Sequence, residues 1–542
     1  MRTGKLTTAV TAGVTAALTA LAVAGCSHDG SPPRGGPASP VSAVPTPTWD
    51  PVQGPPRTVP AVQKFSAADG RGWRPAKQAR VVVPDGEKSP VADEARRFAR
   101  ELGGLRTVWG KQTVQPGDVE LRLSGGADAA RRTDNAPVYD TADEAYTLTA
   151  RGTRLTLTAP TDAGVFNGTR TVLQSVRTSG GVPEGTVEDR PDRAQRGFML
   201  DIARKHFDAQ WIEDRIRDLA GLKLNQLQLH FSDDQGFRIE SEKHPEIVSA
   251  DHLTKDQVRH LVDVARGLHV TVIPEIDSPG HLGAVLRAHP DLQLRSADGR
   301  TRRGAMDISK PGAAEIVDDL LREFAPLFPG NHWHLGGDEY RALADRDPKS
   351  NYPDLAEAAR DKYGDGASIE DLATGWLNDR DKTVRAAGAK QVEAWNDGYF
   401  RDTDVAPDSA RTVAYWTGKE IGAREPDEYL REDRKVVNLN DEYLYYVLGE
   451  PNDMPYPTGE RIYTQWTPGV LRGTKAVPES LSGADRVLGA RLAVWCDQAG
   501  EQTQQQVADG IRMPLRALAQ KVWDRRDPAL SWQDFTKLAD QV

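Results

Sequence analysis

The stretch His332-Trp-His-Leu-Gly-Gly-Asp-Glu-Tyr340 decides how the rest of the chain is interpreted. A short apolar run typical of a buried strand ends in two glycines, and the adjacent carboxylates Asp338 and Glu339 follow. Adjacent strand residues point to opposite faces, so both carboxylates can face one substrate only where the backbone leaves the strand, as glycine permits. Two carboxylates held together repel, which favours one of them being protonated beside a charged partner. An acid beside an anion is the pair that glycosidic bond cleavage requires.

Around this stretch, short apolar runs alternate with helical patterns from residue 196 onward, as in parallel βαβ units. Eight runs are strand candidates: 197–202, 224–231, 270–276, 332–337, 391–395, 412–416, 436–439 and 487–495. Helical patterns fall between them at 210–222, 254–268, 311–328 and 370–387. Eight such units predict a (β/α)8 TIM barrel with insertions, which we place at residues 193–542.

A smaller unit precedes the barrel at residues 75–192. Strand patterns occupy 79–83 and 118–123, a hairpin surrounds Arg151-Gly152, and helical patterns occupy 91–102 and 163–176. These elements predict a small α/β domain with no evident chemistry of its own. The predicted fold class is therefore α/β, a TIM barrel preceded by a small α/β domain.

The first 74 residues have the composition of an export segment and a linker. Arg2 and Lys5 precede an apolar stretch that ends in Val23-Ala-Gly-Cys26, so residues 1–25 predict a signal peptide rather than a membrane span. The Ala-Gly-Cys ending resembles a bacterial lipobox, whose cysteine is lipidated and becomes the mature N-terminus. A plain secretory signal with an incidental cysteine is the alternative. Residues 26–74, rich in Pro, Ser, Gly and Thr, predict a disordered tether.

These features predict an exported protein, either a cell-membrane lipoprotein that faces outward or a secreted one. The sequence has two cysteines, Cys26 and Cys496. If Cys26 is lipidated, Cys496 has no partner for an intrachain disulfide. The net charge of −10 argues against a nucleic-acid partner. Twelve tryptophans supply large flat rings, which often line sugar sites.

Polar and aromatic side chains collect where the eight runs end. In a (β/α)8 barrel the C-terminal strand ends build the active site, so these residues predict one there. They are Asp201, Arg204, His230, Asp233, Asp234, Glu275, Asp277, His281, Asp338, Glu339, Trp395, Asn396, Trp416, Tyr443, Trp495 and Asp497.

Four stretches resemble the β-N-acetylhexosaminidases of glycoside hydrolase family twenty. They are Arg196-Gly-Phe-Met-Leu-Asp-Ile-Ala-Arg204, Leu229-His-Phe-Ser-Asp-Asp-Gln-Gly-Phe-Arg238, Pro274-Glu-Ile-Asp-Ser-Pro-Gly-His281 and His334-Leu-Gly-Gly-Asp-Glu339. The resemblance runs from about residue 143 to 495 and includes 163–168 in the small domain. The family implies a barrel preceded by a small α/β domain, in agreement with the patterns above.

The resemblance also implies a mechanism, residues and partners. The acetamido oxygen of the substrate attacks the anomeric carbon and gives an oxazolinium intermediate, so no carboxylate nucleophile is needed. Glu339 matches the family's general acid/base, Asp338 the anion that orients the acetamide, and Tyr443 the tyrosine that binds its oxygen. The implied partner is a glycan with β-linked N-acetylglucosamine or N-acetylgalactosamine, and no metal or cofactor is implied.

The remaining matches concern the sugar pocket. Arg196 matches the arginine that binds sugar hydroxyls, and Asp497 occupies the place of a family glutamate with the same task. The aromatic walls match Trp395, Trp416 and Trp495. Asp233 or Asp234, with Asp277 and His281, match a relay of buried carboxylates around a histidine, in which Asp277 and His281 can also simply orient loops.

The sequence departs from the family at two motifs. Tyr443-Leu-Tyr445 stands where many members have Tyr-Leu-Asp, and Trp495-Cys-Asp497 stands where many have Trp-x-Glu. In those members the carboxylates hold the outer hydroxyls of the terminal sugar, so their loss or shortening can open the pocket. Two alternatives stay open for this reason: a lacto-N-biosidase, which releases a disaccharide, and a hydrolase of β-1,6-linked poly-N-acetylglucosamine.

Two other classes compete with this interpretation. A metal-dependent barrel hydrolase could use His332, His334 and Asp338 as ligands, although such sites need ligands that converge from several strands. A non-catalytic sugar-binding lipoprotein would keep the tryptophans without needing an acid. The presence of Asp338 and Glu339 together with a nearby tyrosine favours the enzyme.

Overall fold

The computed structural model describes residues 49–125, 140–419, 423–451 and 454–542. The predicted signal peptide, Cys26 and the first part of the predicted tether lie outside the described residues. Among the helices that are described, none has the length and apolar character needed to cross a membrane.

The small domain is one mixed sheet with two helices packed against it. In chain order its elements are β1 (Lys64–Ala67), β2 (Arg80–Val83), α1 (Ala92–Glu101), β3 (Arg106–Trp109), β4 (Val119–Leu123), β5 (Tyr146–Arg151), β6 (Arg154–Ala159), α2 (Asp162–Ser179) and β7 (Gly185–Asp189). The strand order is β1-β7-β5-β6-β4-β2-β3, parallel from β6 to β3 and antiparallel elsewhere. The predicted strands, hairpin and helices are all present.

The prediction of a disordered tether up to residue 74 is wrong for its described part. Strand β1 pairs antiparallel with β7, and both Val59 and Trp73 are fully buried. Trp73 also donates its indole N–H to the Gly117 carbonyl at 3.0 Å. Isolated apolar residues at irregular spacing anchor this extended segment, and such spacing gives no period that a sequence pattern can register.

The barrel is formed by the eight predicted runs. Its elements are β8 (Gln195–Asp201), α3 (Ala209–Gly221), β9 (Gln226–His230), α4 (Lys255–Gly267), β10 (Thr271–Glu275), α5 (Gly283–Ala288), β11 (Gln293–Arg295), β12 (Thr301–Met306), α6 (Pro311–Phe324), β13 (His332–His334), α7 (Pro348–Asn351), α8 (Pro353–Tyr363), α9 (Ile369–Ala386), β14 (Gln391–Trp395), β15 (Thr412–Tyr415), α10 (Pro426–Arg431), β16 (Val436–Asn438), β17 (Tyr445–Val447), α11 (Gly459–Gln465), β18 (Val487–Trp495), α12 (Gln504–Trp523) and α13 (Trp532–Ala539). All pairings from β8 through β10 and β13 to β16 are parallel, and β18 closes the ring by pairing with both β16 and β8. The (β/α)8 prediction is confirmed.

A buried ion pair fills part of the barrel interior. Arg491 on β18 binds Glu393 on β14 through two hydrogen bonds of 2.7 and 2.8 Å, and neither side chain is exposed. His332 lies 2.5 Å from the same carboxylate. The imidazole ring of His332 is therefore occupied by a contact inside the barrel.

Arg196 ties the barrel to the small domain and lies far from the C-terminal strand ends, so the predicted substrate contact is wrong. It lies at the start of β8, is 1% exposed, and donates to both oxygens of Glu144 at 2.8 and 3.0 Å. Five strand steps, about 16 Å in all, separate it from Asp201 at the C-terminal end of β8. Lys223 and Trp523 strengthen this contact between the domains, because both reach Asp189 of β7, at 3.3 and 3.0 Å.

Candidate active site

The turn after β13 brings the two adjacent carboxylates to one pocket. Gly336 and Gly337 have φ of 70° and 92°, and a Cβ at Gly336 would lie 1.7 Å from Asp277 Oδ1. Glu339 also has a positive φ, 44°, a conformation that costs about 1–3 kcal/mol for a residue with a side chain. Its backbone N–H donates to Asp397 Oδ2 at 2.8 Å, and this bond holds the strained turn in place.

A pocket of about 310 Å³ lies over the C-terminal ends of the strands. It combines charged groups with aromatic and apolar walls. Its lining residues are Arg204, His281, Asp338, Glu339, Trp416, Thr417, Lys419, Asp441, Tyr445, Val447, Met454, Trp495 and Asp497. Of the predicted substrate-binding and catalytic residues, the structure therefore brings together Asp338, Glu339, His281, Trp416, Trp495 and Asp497.

His281 links the two carboxylates to the interior. Its Nε2 lies 3.2 Å from Glu339 Oε2 and 3.7 Å from Asp338 Oδ2, and its Nδ1 lies 3.1 Å from Asp233 Oδ2. Burial alone would lower the pKa of His281, but the charges of Asp338 and Asp233 outweigh it and raise that pKa well above its ordinary value. The imidazole is therefore a cation that faces both carboxylates.

The charge relay continues beneath His281. Asp233 is buried, and the charges of His281 and Arg204 overcome its desolvation and hold its pKa well below the usual range. His230 lies between Asp233 and Glu275, at 3.0 and 3.2 Å, and these anions raise its pKa to about 10 despite its burial. The pKa of Glu275 falls to about 2, because His230 and His334 offset its burial.

Three further carboxyl groups surround Asp338. Burial, followed by the charge of Asp338, raises the pKa of Asp277 and of Asp397 well above their usual values. Glu339 differs, since its hydrogen bond with His281 outweighs its burial and lowers its pKa. Asp338 lines the pocket, and its carboxylate also interacts with Asp277 through a side-chain hydrogen bond. The carboxylate of Asp338 can therefore face an N–H donor of a substrate.

Tyr445, rather than Tyr443, lies in the pocket, which corrects the predicted assignment. The Tyr443 ring belongs to the hydrophobic core and packs under the Arg461 guanidinium at 4.7 Å. The Tyr445 ring stacks on Trp416 with 5° between their planes. Burial and the charge of Asp338 raise the pKa of Tyr445 well above 10, so its hydroxyl stays a hydrogen-bond donor.

Trp395 supports the pocket without lining it, so its prediction as a wall is also corrected. It is fully buried and donates its indole N–H to Glu275 Oε1 at 2.7 Å. Its ring lies 5.8 Å from that of Trp495, which does line the pocket. Trp416 donates its own indole N–H to Asp397 Oδ1 at 3.1 Å, and this bond fixes the opposite wall.

The pocket arginine is Arg204, which follows the end of β8. It lies 3.0 Å from Asp201, 2.9 Å from Asp233 and 4.0 Å from Asp497, and its guanidinium stacks over Trp495 at 5.2 Å. The side chain of Asp497 is 41% exposed, so it can reach a ligand.

The two consecutive aspartates, Asp233 and Asp234, hold other side chains and loops in place and do not line the pocket. Asp233 belongs to the relay and does not line the pocket. Asp234 accepts the backbone N–H of Gly283 at 3.0 Å and lies 3.3 Å from Arg303, so it ties loops together. Their prediction as substrate-binding residues is therefore corrected by the structure.

The sequence predicted neither Asp397 nor Tyr445 as a site residue, and it placed Arg204 only among the polar residues at the strand ends. Arg204 stood among the strand-end residues and could have been preferred to Arg196 on the strand-end rule alone. Asp397 lies two residues after the end of β14 and carried the same signal. The choice of Tyr445 depends on the path of the loop between β16 and β17, which no local pattern gives.

The histidine pair of the metal-hydrolase alternative is used within the barrel. His332 contacts Glu393, and His334 Nδ1 accepts the backbone N–H of Gly336 at 3.1 Å. Asp277, His281 and Asp338 do offer three ligand atoms within 4.8 Å of one another. His281 is, however, a cation already placed between Asp233 and the carboxylate pair, which accounts for that cluster without an ion.

A parallel barrel whose strand ends hold an acidic pair, a cationic histidine and aromatic walls defines the class of carbohydrate-cleaving barrel enzymes. Residues 194–526 match the family model described as "Glycosyl hydrolase family 20, catalytic domain", and residues 55–190 match "Glycosyl hydrolase family 20, domain 2". The chain belongs to glycosyl hydrolase family 20.

Individual relatives agree with this membership. A lacto-N-biosidase of Bifidobacterium bifidum is 29% identical over 494 residues, which cover 90% of this chain and 41% of the relative. A β-N-acetylhexosaminidase of Cellulomonas fimi is 31% identical over 458 residues, 77% of this chain and 82% of the relative. A mutant Streptomyces plicatus β-hexosaminidase, solved with its product GlcNAc, has the same fold, with a TM-score of 0.67, 23% identity, and coverage of 91% of this chain and 95% of that one. The chain thus spans about two fifths of the length of the first relative.

Proposed function

We propose that the protein is a retaining β-N-acetylhexosaminidase that works by substrate-assisted catalysis. The observation that carries the proposal is the pair Asp338 and Glu339 opposite Tyr445 in an aromatic-walled pocket. In this reaction the acetamido oxygen attacks the anomeric carbon, so the protein supplies one acid and one anion instead of a carboxylate nucleophile.

Each group has a role that its surroundings support. Asp338, which lines the pocket, accepts the acetamide N–H and offsets the positive charge of the oxazolinium. Tyr445 donates its hydroxyl to the acetamide oxygen. Trp416 and Trp495 pack against the sugar faces, and Arg204, with its strand-end position, binds hydroxyls at the bottom of the pocket.

Glu339 must carry a proton that it donates to the leaving oxygen, because that oxygen would otherwise depart as an anion. In the free site the contact with His281 lowers the pKa of Glu339, which opposes that state. When Glu339 turns toward the glycosidic oxygen, His281 Nε2 is left to Asp338, 3.7 Å away. The contact that lowers the pKa of Glu339 is then lost, while the remaining burial raises that pKa. Substrate binding itself therefore favours the acid form.

The test uses substitutions at the two carboxylates. Glu339→Gln abolishes cleavage of substrates with poor leaving groups and spares those with good ones, because only the former need a proton. Asp338→Asn lowers the rate on both, because the oxazolinium charge is no longer offset. If both variants kept wild-type rates on both substrates, the site assignment would be wrong.

Release of a disaccharide is a second candidate, and the pocket wall favours considering it. With Tyr445 as the acetamide tyrosine, the position of the family aspartate two residues later is Val447, and Met454 extends the apolar wall. The shorter Asp497 stands where family members have glutamate. The similarity to a lacto-N-biosidase over 90% of the chain supports the same direction. A hydrolase of β-1,6-linked poly-N-acetylglucosamine remains the other alternative.

Product analysis with chitobiose, lacto-N-tetraose and a β-1,6-linked GlcNAc oligomer separates these candidates. Free GlcNAc from chitobiose indicates the exo-hexosaminidase. A Gal-GlcNAc disaccharide from lacto-N-tetraose indicates a second sugar subsite beside Val447, and cleavage of the β-1,6 oligomer alone indicates the third activity. No release from any substrate would favour the sugar-binding lipoprotein.

We also propose that the protein is exported and anchored to the outer side of the membrane through Cys26. The support is the charged, apolar and Ala-Gly-Cys sequence of the first 26 residues. Cys26→Ser should move the protein from the membrane fraction to the soluble exported fraction. A distribution unchanged by the substitution would contradict the anchor.

A further inference from the structure

Two histidines and a glutamate meet at a place that does not line the catalytic pocket. His244 and Glu246 lie at the short turn Pro245–Ile247 in the loop after β9, and His289 follows α5 in the loop after β10. Glu246 Oε1 lies 3.1 Å from His244 Nδ1 and 3.0 Å from His289 Nε2. Three potential ligand atoms from two different loops therefore converge.

The spacing and chemistry of these atoms suit a zinc ion. All three atoms lie within 4.8 Å of one another. In a tetrahedral zinc site with metal–ligand bonds of about 2.0–2.2 Å, neighbouring ligand atoms are roughly 3.4 Å apart. The two separations from Glu246 Oε1 need to open by only a few tenths of an ångström. Two imidazoles and one carboxylate are also a ligand set that zinc prefers.

A fourth residue lies close to where metal-bound histidines usually have an outer contact. His244 Nε2 is buried and has no hydrogen bond among the described residues, and Asp319 Oδ2 of α6 lies 3.8 Å from it. A metal on Nδ1 requires the ring proton to lie on Nε2, where it faces Asp319. If this 3.8 Å separation closes to hydrogen-bond distance, it gives the carboxylate–histidine–metal arrangement that orients the ring and raises its basicity.

We propose that His244, Glu246 and His289 form a structural Zn²⁺ site, with Asp319 as the partner of His244. The two imidazole rings meet edge to face, with 84° between their planes, so both can offer a nitrogen to one ion without stacking on each other. Glu246 is 42% exposed at its side chain, which leaves a path for the ion and room for a water as the remaining ligand.

The site ties together the two loops that hold the catalytic relay. The loop after β9 carries Asp233, and the loop after β10 carries His281, whose contact of 3.1 Å is described above. Helix α5 begins two residues after His281 and ends at the residue before His289. Its six residues span about 9 Å, so the ion would fix the far end of the helix that follows the relay histidine. Zinc has a structural role here and takes no part in the bond cleavage.

The test is zinc binding by the full-length chain purified in detergent, after chelator treatment and dialysis. Calorimetric titration with ZnCl₂ should give one site per chain, and thermal unfolding should move to higher temperature as zinc is added. His289→Gln removes one ligand and should weaken binding at least tenfold. His260→Gln is the matched control, because His260 also pairs with a single glutamate, Glu213 at 2.7 Å, outside the cluster.

A second variant protects the test against a folding defect. Glu246→Gln keeps the size of the side chain and should also weaken zinc binding at least tenfold, with circular dichroism unchanged. Stoichiometric binding that both variants lose and the His260 control keeps supports the site. Absence of zinc binding in the wild type, or binding that survives both His289→Gln and Glu246→Gln, overturns it.

Discussion

Replacement of Tyr445 by phenylalanine tests which tyrosine binds the acetamide. The substitution removes one hydroxyl and keeps the ring that stacks on Trp416 at 5.5 Å. The wall of the pocket should therefore persist, and only the hydrogen bond to the acetamide oxygen is lost. Because that oxygen gains charge as it attacks, the bond is strongest in the transition state.

The size of the effect follows from the kind of bond. Loss of one donor to a developing charge costs about 2.7–4 kcal/mol of transition-state stabilisation, or roughly 10²–10³ in kcat. The charge of Asp338 and burial keep the pKa of Tyr445 well above 10, so the hydroxyl is a full donor throughout the neutral range. The effect should therefore be independent of pH between about 5 and 8.

The assay is kcat and KM on a chromogenic β-GlcNAc glycoside, with Tyr443→Phe as the matched control. Tyr443 is two residues away but packs in the core, so its variant should keep kcat within a few-fold of the wild type. The reasoning is refuted if Tyr443→Phe loses as much activity as Tyr445→Phe, or if Tyr445→Phe loses less than tenfold.

Three further predictions concern groups that the structure places at the site or away from it. Arg204→Met should raise KM strongly, whereas Arg196→Met should leave KM unchanged. Arg196→Met should instead lower the free energy of unfolding, measured in urea titrations, by about 3–5 kcal/mol, because the buried partner of Arg196 loses its opposite charge. A rise in KM from Arg196→Met alone would contradict the assignment of Arg204 to the pocket. Asp397→Asn should lower kcat by about 10–100-fold. Asp397 accepts hydrogen bonds from the Glu339 backbone N–H and the Trp416 indole N–H, and one of these donors is left without an acceptor in the variant. An unchanged kcat would show that the turn does not depend on these hydrogen bonds. In His281→Gln the imidazolium no longer lowers the pKa of Glu339, so that pKa should rise. The basic limb of the kcat/KM profile requires the protonated acid and should therefore move to higher pH. A basic limb that stays in place or moves to lower pH would show that it does not report the titration of Glu339.

The barrel could be predicted from the sequence because each strand is buried on both faces and ends at a turn. All eight apolar runs became barrel strands, and the acidic pair lies where the glycines leave β13. Such local patterns also place polar residues at the active-site face, since the C-terminal ends of parallel strands meet there.

The role of a residue was harder to predict where it depends on the position within a strand or on the path of a long loop. Arg196 and Arg204 lie in one matched stretch, yet one faces the small domain and the other the pocket. Tyr443 lies in the loop before β17 and Tyr445 is the first residue of that short strand, whose position is set by tertiary pairing with β18. Similarly, the segment around Val59 and Trp73 folds through isolated buried anchors that have no periodicity.

The central claim is that the substrate's acetamide is the nucleophile, and matched aryl glycosides test it most directly. Rates should be compared for the β-glycosides of N-acetylglucosamine, of a Gal-GlcNAc disaccharide and of glucose, which lacks the acetamide. Substrate-assisted catalysis predicts hydrolysis of at least one of the two GlcNAc-containing glycosides, with retention of the anomeric configuration, and no turnover of the glucoside. Hydrolysis of the glucoside at a comparable rate would contradict it, because the reaction would then need a nucleophile from the protein.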